Sequence, residues 1–352
     1  MPTKLSTLCY SVAQCTFAPG AQNSQPTSYD GAVTPLAAGS TPEQVRQAAQ
    51  LLAAGGLVAF PTETVYGLGA DASNPLAVGR MFAAKNRPTT HPVIVHIPSE
   101  RDIDYWATDI PDFARALMRD YWPGPMTLIL HRSTNARDLI TGGQDTVGVR
   151  VPGHPMALSL LTEFHELGGR GVVAPSANRY GAVSPTDASA VQAELRDHLA
   201  PTDMILDGGP CDVGVESTII EATGAAPAIL RPGAITAAMI EHSTGMAVSD
   251  PFDPAIRVPG SHTQHYSPTA RVVVGGTSLV GEGLIAGDEV ATPDGVLRLS
   301  APATPEDYAR AFYAALREAD RQGLAVVRVI PPSGDGVAIA IRDRIMRSAA
   351  TG

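Results

Sequence analysis

GGLVAFPTETVYGLGADA, residues 55–72, is the stretch of the sequence that decides the fold. The apolar run 57–60 predicts a buried strand, because two glycines can end a preceding helix and no polar residue interrupts the run. The polar loop that follows lies where open α/β sheets bind ligands. Gly67-x-Gly69 resembles a dinucleotide-binding fingerprint, but six residues separate it from the strand, and that fingerprint needs its first glycine directly after the strand. A polar loop with two structural glycines is the alternative.

Helical and strand patterns alternate on both sides of this stretch. Ser40-Thr41-Pro42-Glu43 predicts the first helix start, with a hydroxyl cap, a proline in the first turn and Glu43 as capping-box partner. Further helices are predicted near 75–84, 111–120, 154–164 and 186–197, and strands near 93–97, 126–130, 146–151, 171–175, 203–206, 216–221 and 227–231. The alternation predicts the α/β fold class, with a mixed or mostly parallel sheet.

The chain divides into four parts. Residues 1–38 are rich in Ser, Thr, Gln, Gly and Pro without periodicity, which is typical of a mobile arm. Residues 39–242 form the larger α/β domain. Residues 243–268 lose the periodicity and are too long for an ordinary connection, so we expect a functional or disordered linker. Residues 269–352 form a smaller α/β domain, with strands at 271–274, near 295–299 and at 325–330, and helices at 304–321 and 337–348.

Composition restricts the function classes. The 352 residues carry a net charge of −10 and only 5% aromatic residues, which disfavours nucleic-acid binding by bulk charge or by stacking. The strongly apolar stretch 51–60 is too short to span a bilayer, and the N-terminal residues make a weak signal peptide. Cys9, Cys15 and Cys211 are too scattered for a disulfide framework or a zinc site, which favours a reduced, cytoplasmic setting. No P-loop, H-E-x-x-H, C-x-x-C or G-x-S-x-G motif is present.

Two motifs present cations at predicted strands. Lys85 and Arg87 precede strand 93–97 in a proline-stiffened segment, and such a rigid pair suits a phosphate or carboxylate. A solvated charged turn is the alternative. Arg150 lies among apolar strand residues, where a buried guanidinium needs an anion from the protein or from a ligand. Both explanations remain open for Arg150.

Short motifs lie at the ends of several other predicted strands and helices. Small hydroxyl and amide residues after strand 171–175 suit hydrogen bonds to a ligand, with helix capping as the alternative. The motifs are WPGP (122–125), APSAN (174–178), SPT (184–186), DGGP (207–210), GVEST (214–218) and LRPG (230–233).

Taken together and in this order, the motifs resemble those of the threonylcarbamoyl-AMP synthase family. The resemblance is dense over 40–240, continues through HYSP (265–268) and is looser over 304–349. It implies a YrdC-like twisted, open, mixed sheet with helices, followed by a smaller Rossmann-like α/β domain. It also implies a nucleotidyltransferase that converts L-threonine, bicarbonate and ATP to threonylcarbamoyl-AMP, diphosphate and water. A separate transferase then uses the product to make threonylcarbamoyladenosine (t6A) next to the anticodon of tRNA.

The resemblance also implies residue roles. Catalysis is implied for Lys85 and Arg87, which would stabilise charge on the departing diphosphate. Threonine binding is implied for Thr64, His96, Arg150, Ala174 and Ser217. ATP binding is implied for Lys85, Arg87, His91, Thr146, Ser176, Ser184, Arg231, His265 and Tyr266. The last two come from the linker 243–268, which is expected to close as a lid. Magnesium would arrive with ATP, without a dedicated protein site.

Two competing functions are set against this one. The first is an RNA-binding or ribosome-assembly protein that uses the same concave surface; the acidic charge and the few aromatic residues leave room for weak tRNA contact at most. The second is a nicotinamide-dependent oxidoreductase built on Gly67-x-Gly69, which the displaced glycines disfavour. No membrane partner is expected.

Overall fold

The computed structural model describes residues 39–251, 255–260 and 266–350, all within one unit of the chain, Val33–Gly352. The predicted arm at 1–38 lies outside the described residues. The helices are α1 (Pro42–Ala53), α2 (Pro75–Lys85), α3 (Ile103–Trp106), α4 (Asp112–Tyr121), α5 (Asp138–Thr141), α6 (Pro155–Glu166), α7 (Ala188–Leu195), α8 (Ala237–Thr244), α9 (Pro305–Arg321) and α10 (Val337–Ala349). Within these ranges no helix is both long enough and apolar enough to cross a membrane.

The strands form two sheets. They are β1 (Val58–Phe60), β2 (Gly67–Asp71), β3 (Ile94–His96), β4 (Ala107–Thr108), β5 (Met126–Arg132), β6 (Thr146–Arg150), β7 (Val172–Val173), β8 (Met204–Ile205), β9 (Thr218–Glu221), β10 (Ala228–Arg231), β11 (Arg271–Val274), β12 (Gly283–Ile285), β13 (Leu297–Ser300) and β14 (Val326–Val329). The first ten make one sheet, in the order β10-β9-β5-β6-β3-β7-β2-β1-β8 with β4 beside β5.

The large sheet is mixed, as predicted. Parallel pairs join β1 to β8, β3 to β6 and β5 to β9. The alternative of a mostly parallel sheet is wrong, because the remaining pairs are antiparallel. β1, β3 and most of β5 are buried along their length, and burial of both faces explains their predominantly apolar sequences.

The first helix begins within the predicted start motif, with one of its two hydroxyl residues as the cap. Thr41 is its N-cap, and the Thr41 hydroxyl accepts from the Gln44 amide at 3.3 Å while the Gln44 side chain accepts from the Thr41 amide at 2.8 Å. The capping-box partner is therefore Gln44 and not Glu43, because with Pro42 at the first helical position the third position falls on Gln44. The helix ends before Gly55, whose φ of +85° only glycine adopts cheaply.

The Gly67-x-Gly69 segment is a strand and not a nucleotide-binding turn. β2 pairs antiparallel with β1, so PTETVY connects a hairpin and no helix follows the glycines directly. A Cβ atom at Gly69 would lie 2.9 Å from side-chain atoms of Phe60 and Val172. Gly69 is thus a packing residue, and the fingerprint on which the nicotinamide hypothesis rested is absent from this turn.

The smaller sheet is entirely parallel, in the order β11-β14-β12-β13. The sequence did not reveal β12, nor α8, which extends two residues past the expected start of the linker at 243. Aromatic residues of α9 share one hydrophobic core with Val65, Val183 and Val215 of the larger domain. The two domains therefore bury apolar surface against each other next to the loop that follows β1.

Candidate active site

The paired strands β3 and β6 place two predicted site residues side by side. His96 lies opposite Arg150 in the parallel register, and Ile94 shares the face of His96 because alternate residues of a strand point the same way. On the other side of β3, the Ala174 amide donates to the Ile94 carbonyl at 3.2 Å. This part of the sheet forms the floor of a cavity.

Nine residues singled out from the sequence line that cavity. They are Thr64, Arg87, His96, Arg150, Ala174, Ser176, Ser217, Arg231 and Tyr266. Six further residues complete its wall: Val65, Ile94, Pro175, Glu216, Pro259 and Gly260. Three arginines thus line one small volume of an acidic protein, an arrangement that favours anionic ligands.

Arg150 has a protein partner as well as a place in the cavity. Its Nη2 lies 2.7 Å from Glu63 Oε1, and its Nε donates to the Gly124 carbonyl at 3.2 Å. Both side chains are nearly buried, with 5% and 11% of their surface exposed. The structural ion pair therefore exists, and it does not exclude a ligand, since Arg150 also lines the cavity and its guanidinium has five N–H donors.

His96 is neutral at physiological pH. Burial, together with the nearby charge of Arg150, lowers the pKa of His96 to about 3. The neutral imidazole has one donor and one acceptor nitrogen and adds no positive charge to the cavity.

Arg231 joins the larger domain to the linker. It donates to the Ser217 carbonyl at 2.8 Å, to the Ser217 hydroxyl at 3.0 Å and to the Pro259 carbonyl at 3.0 Å. Ser217 is further fixed by a hydrogen bond of 2.8 Å between its hydroxyl and that of Thr127. The described part of the linker thus lies directly on the cavity wall.

Lys85 and Arg87 differ in their access to the cavity. Arg87 lines it, and burial lowers the pKa of Arg87 to about 10, so the guanidinium stays charged. Lys85 is fully buried behind the wall, where its ammonium donates to the carbonyls of Ser176 and Asn178. Burial, followed by the charge of Arg87, holds the pKa of Lys85 well below its usual range. Lys85 thus fixes the loop that carries Ser176.

Besides Lys85, three predicted residues with described positions do not line the cavity. His91 lies in an adjoining crevice against the ring of Tyr180, at 5.3 Å between centroids. Thr146 lies at the other end of β6 from Arg150. The Ser184 hydroxyl is buried and donates to Glu216 at 2.7 Å, so it reaches the cavity through that carboxylate. His265 lies outside the described residues.

Glu216 is a cavity residue that the sequence analysis did not select. Glu216 is buried, and burial alone would raise its pKa. The charges of Arg344 and Arg231, together with hydrogen bonds, outweigh burial and lower the pKa of Glu216 to about 2. Its position next to Ser217 in the GVEST motif could have indicated that Glu216 lies at the site. Arg344 and Tyr313, which bind Glu216 from the smaller domain, gave no signal, because more than 90 residues separate each of them from Glu216.

The carboxylate in the cavity is poorly suited to bind a metal ion directly. Glu216 already accepts from Ser184, Tyr313 and Arg344, which use three of the about four lone-pair positions of its two oxygens. Within the described ranges, no three His, Cys, Asp or Glu side chains are grouped as ligands for a metal. A wider surface groove contains Arg132, but this arginine is paired with Asp138 at 2.6 Å, and we assign the groove no role.

The regions that match known proteins include nearly all of the described residues. Residues 50–233 match a family model described as telomere recombination, and residues 235–350 match one described as threonylcarbamoyl-AMP synthase, C-terminal domain. The chain is 37% identical to the threonylcarbamoyl-AMP synthase of Pyrococcus abyssi, over 87% of this chain and 94% of that protein. It is also 37% identical to the Bacillus subtilis protein of the same name, over 87% and 93%. The crystal structure of P. abyssi Sua5 complexed with L-threonine superimposes with a TM-score of 0.78 and 35% identity, over 88% of this chain and 95% of that one.

Proposed function

Since the chain belongs to the threonylcarbamoyl-AMP synthase family, we propose that the arginine-lined cavity is where it converts L-threonine, bicarbonate and ATP to threonylcarbamoyl-AMP, diphosphate and water. The chain is an enzyme of ATP-dependent nucleotidyl transfer, and its family serves t6A modification of tRNA. The RNA-binding alternative is not favoured by these relatives. The observation that carries the proposal is the convergence of Arg87, Arg150 and Arg231 on one cavity.

Threonine would bind at the end formed by β3 and β6. Arg150 holds the carboxylate, while the hydroxyls of Thr64 and Ser217 and the neutral ring of His96 supply hydrogen bonds of either polarity. The backbone of Ala174 faces the same volume. A neutral imidazole leaves Arg150 as the nearest described cation for the carboxylate, which fixes the orientation of the amino group.

The nucleotide would lie against the other arginines. Arg87 and Arg231 meet the phosphates, and Lys85 keeps Ser176 in place from behind the wall. The threonine nitrogen bonds to the bicarbonate carbon, water leaves, and the new carboxylate is presented to the α-phosphorus. A carboxylate oxygen forms the bond to phosphorus, the bond to the β-phosphate oxygen breaks, and diphosphate departs. Positioning and charge stabilisation suffice, so no covalent enzyme intermediate is required.

A divalent ion would enter with the ATP phosphates. It would neutralise charge on the departing diphosphate, and Arg87 and Arg231 would share that task. Because three protein donors already hold Glu216, we expect the ion to be held by phosphate oxygens and water. The product would pass to a separate tRNA transferase, and we propose a cytoplasmic location for both.

The linker would act as a lid. Pro259, Gly260 and Tyr266 cover a cavity of about 50 Å³, whereas pockets for small-molecule ligands usually measure about 300–1,000 Å³. ATP and threonine therefore need this cover to move outward before they enter and to close afterwards. Val258 of the linker packs in one apolar cluster with Ile94 and Ile129, and this cluster would hold the closed linker against the larger domain.

Product analysis tests the proposed function. Purified protein supplied with ATP, L-threonine and bicarbonate should release diphosphate and form an adenylate, and omission of either threonine or bicarbonate should abolish both. Release of ADP and phosphate would contradict the proposal.

A further inference from the structure

A buried carboxylate in the cavity wall is held from the smaller domain. Glu216 lines the cavity directly before Ser217, yet its oxygens accept from Tyr313 on α9 at 3.0 Å and from Arg344 on α10 at 2.8 Å. Ser184 supplies a third donor at 2.7 Å. The charge of Glu216 is thus compensated on the side that faces away from the cavity.

The same two residues hold the linker tyrosine. The Tyr266 ring stacks on Tyr313 with 5.5 Å between centroids, and the Arg344 guanidinium lies 5.5 Å from the centre of the Tyr266 ring. Arg344 has no exposed side-chain surface, and it also donates to the Pro232 carbonyl at 3.0 Å. Two residues of the smaller domain therefore contact both a wall residue and a cover residue of the cavity.

Charge balance gives this arrangement a consequence for binding. Arg231 lies close enough to influence the pKa of Glu216, so an uncompensated Glu216 would compete with anionic ligands for Arg231. Arg344, which also pairs with Asp343, supplies compensating charge from behind and leaves Arg231 to its contacts around Ser217 and to a ligand. A purely architectural ion pair between domains would not need to include a carboxylate that lines the cavity.

We propose that Tyr313 and Arg344 are positioning residues for nucleotide binding: they neutralise and fix Glu216 so that the cavity arginines stay available to phosphate. This inference rests on the proposed function of the cavity and adds a role for the smaller domain in that same site.

Steady-state kinetics of diphosphate release test the inference. Arg344→Met keeps the apolar stem but leaves Arg231 as the guanidinium that compensates the Glu216 charge, and we expect the KM for ATP to rise about tenfold or more. Adding Glu216→Gln to Arg344→Met removes that charge, and the KM for ATP should return to within about threefold of the wild-type value. Tyr313→Phe keeps the stacked ring and loses one donor, so it should raise the same KM by a smaller factor, with kcat less affected.

A control on the same helix separates site effects from general damage. Arg342 donates to the Pro332 carbonyl within the smaller domain, and Arg342→Met should leave both kinetic parameters unchanged. If Arg344→Met does not fold, Tyr313→Phe and the double variant Glu216→Gln/Arg344→Met still test the inference. Unchanged KM for ATP in Tyr313→Phe, or a double variant that folds but binds ATP as poorly as Arg344→Met, would overturn the inference. Absence of threonine-dependent diphosphate release by the unaltered protein would instead overturn the proposed function.

Discussion

Replacing Arg150 by methionine should damage two properties that can be measured separately. The guanidinium compensates Glu63 at 2.7 Å, and removal of one partner of a buried ion pair costs about 3–5 kcal/mol of folding free energy. The same group is proposed to hold the threonine carboxylate. Loss of a charge-assisted contact of that kind costs about 2–4 kcal/mol, or about 30- to 1000-fold in threonine Kd.

A second substitution isolates the binding effect. In the double variant Glu63→Gln/Arg150→Met neither side chain carries a charge, so most of the lost stability should return. Urea unfolding measures that recovery, and titration calorimetry on the folded double variant measures threonine affinity. We expect the urea midpoint to lie near that of the unaltered protein while the Kd for threonine stays about 30-fold or more above it.

One outcome would refute this reasoning. If the double variant binds threonine as tightly as the unaltered protein, Arg150 serves only as the partner of Glu63, and the threonine carboxylate must be bound elsewhere. A double variant that remains as unstable as Arg150→Met would show that the Gly124 contact, and not the ion pair, dominates the structural role.

The site supports three further predictions. The pKa of Glu216 is lowered from 4.5 to about 2, so ionised Glu216 contributes about 3 kcal/mol to folding stability above pH 4.5, and this contribution is lost as pH falls through 2. Between pH 5 and pH 3, the free energy of unfolding in urea should therefore fall less for Glu216→Gln than for the unaltered protein. An equal fall in both proteins would contradict this prediction. His96, with a pKa of about 3, should show no NMR titration between pH 5 and pH 8, and a midpoint near 6.5 would disprove its neutrality. Gly260 has a φ of +83°, and a Cβ atom at this position would lie 2.5 Å from the Tyr266 hydroxyl, so Gly260→Ala should slow diphosphate release several-fold. Gly245→Ala is the matched control, because Gly245 also has a positive φ but a Cβ atom there would have no atom within 4 Å. Equal activity of the two variants would argue against close packing of Gly260 and Tyr266 over the cavity.

The sequence predicted most of the strands because strand patterns are local, whereas the roles of the cavity residues came from the family resemblance. Predominantly apolar runs predicted β1, β3 and β5, and short polar motifs near strand ends contain Thr64, Ser176 and Ser217. Helices with a proline in the first turn, such as α1 and α9, were placed within a few residues.

Features that depend on distant partners were not predictable in this way. β2 contains two glycines and its sequence is typical of a loop, and only its pairing with β1 and β7 makes it a strand. Nothing near Arg344 indicates that its partner lies 128 positions earlier in the chain. Lys85 lies behind the cavity wall because its side chain donates to the carbonyls of Ser176 and Asn178, which are more than 90 residues away in the sequence.

Diphosphate release in the complete reaction mixture is the measurement that tests the central claim most directly. With ATP, L-threonine and bicarbonate present, the account predicts diphosphate and threonylcarbamoyl-AMP in equal amounts, and neither product when threonine or bicarbonate is left out. Diphosphate formation that is independent of threonine, or formation of ADP in its place, would contradict the assignment of the arginine-lined cavity.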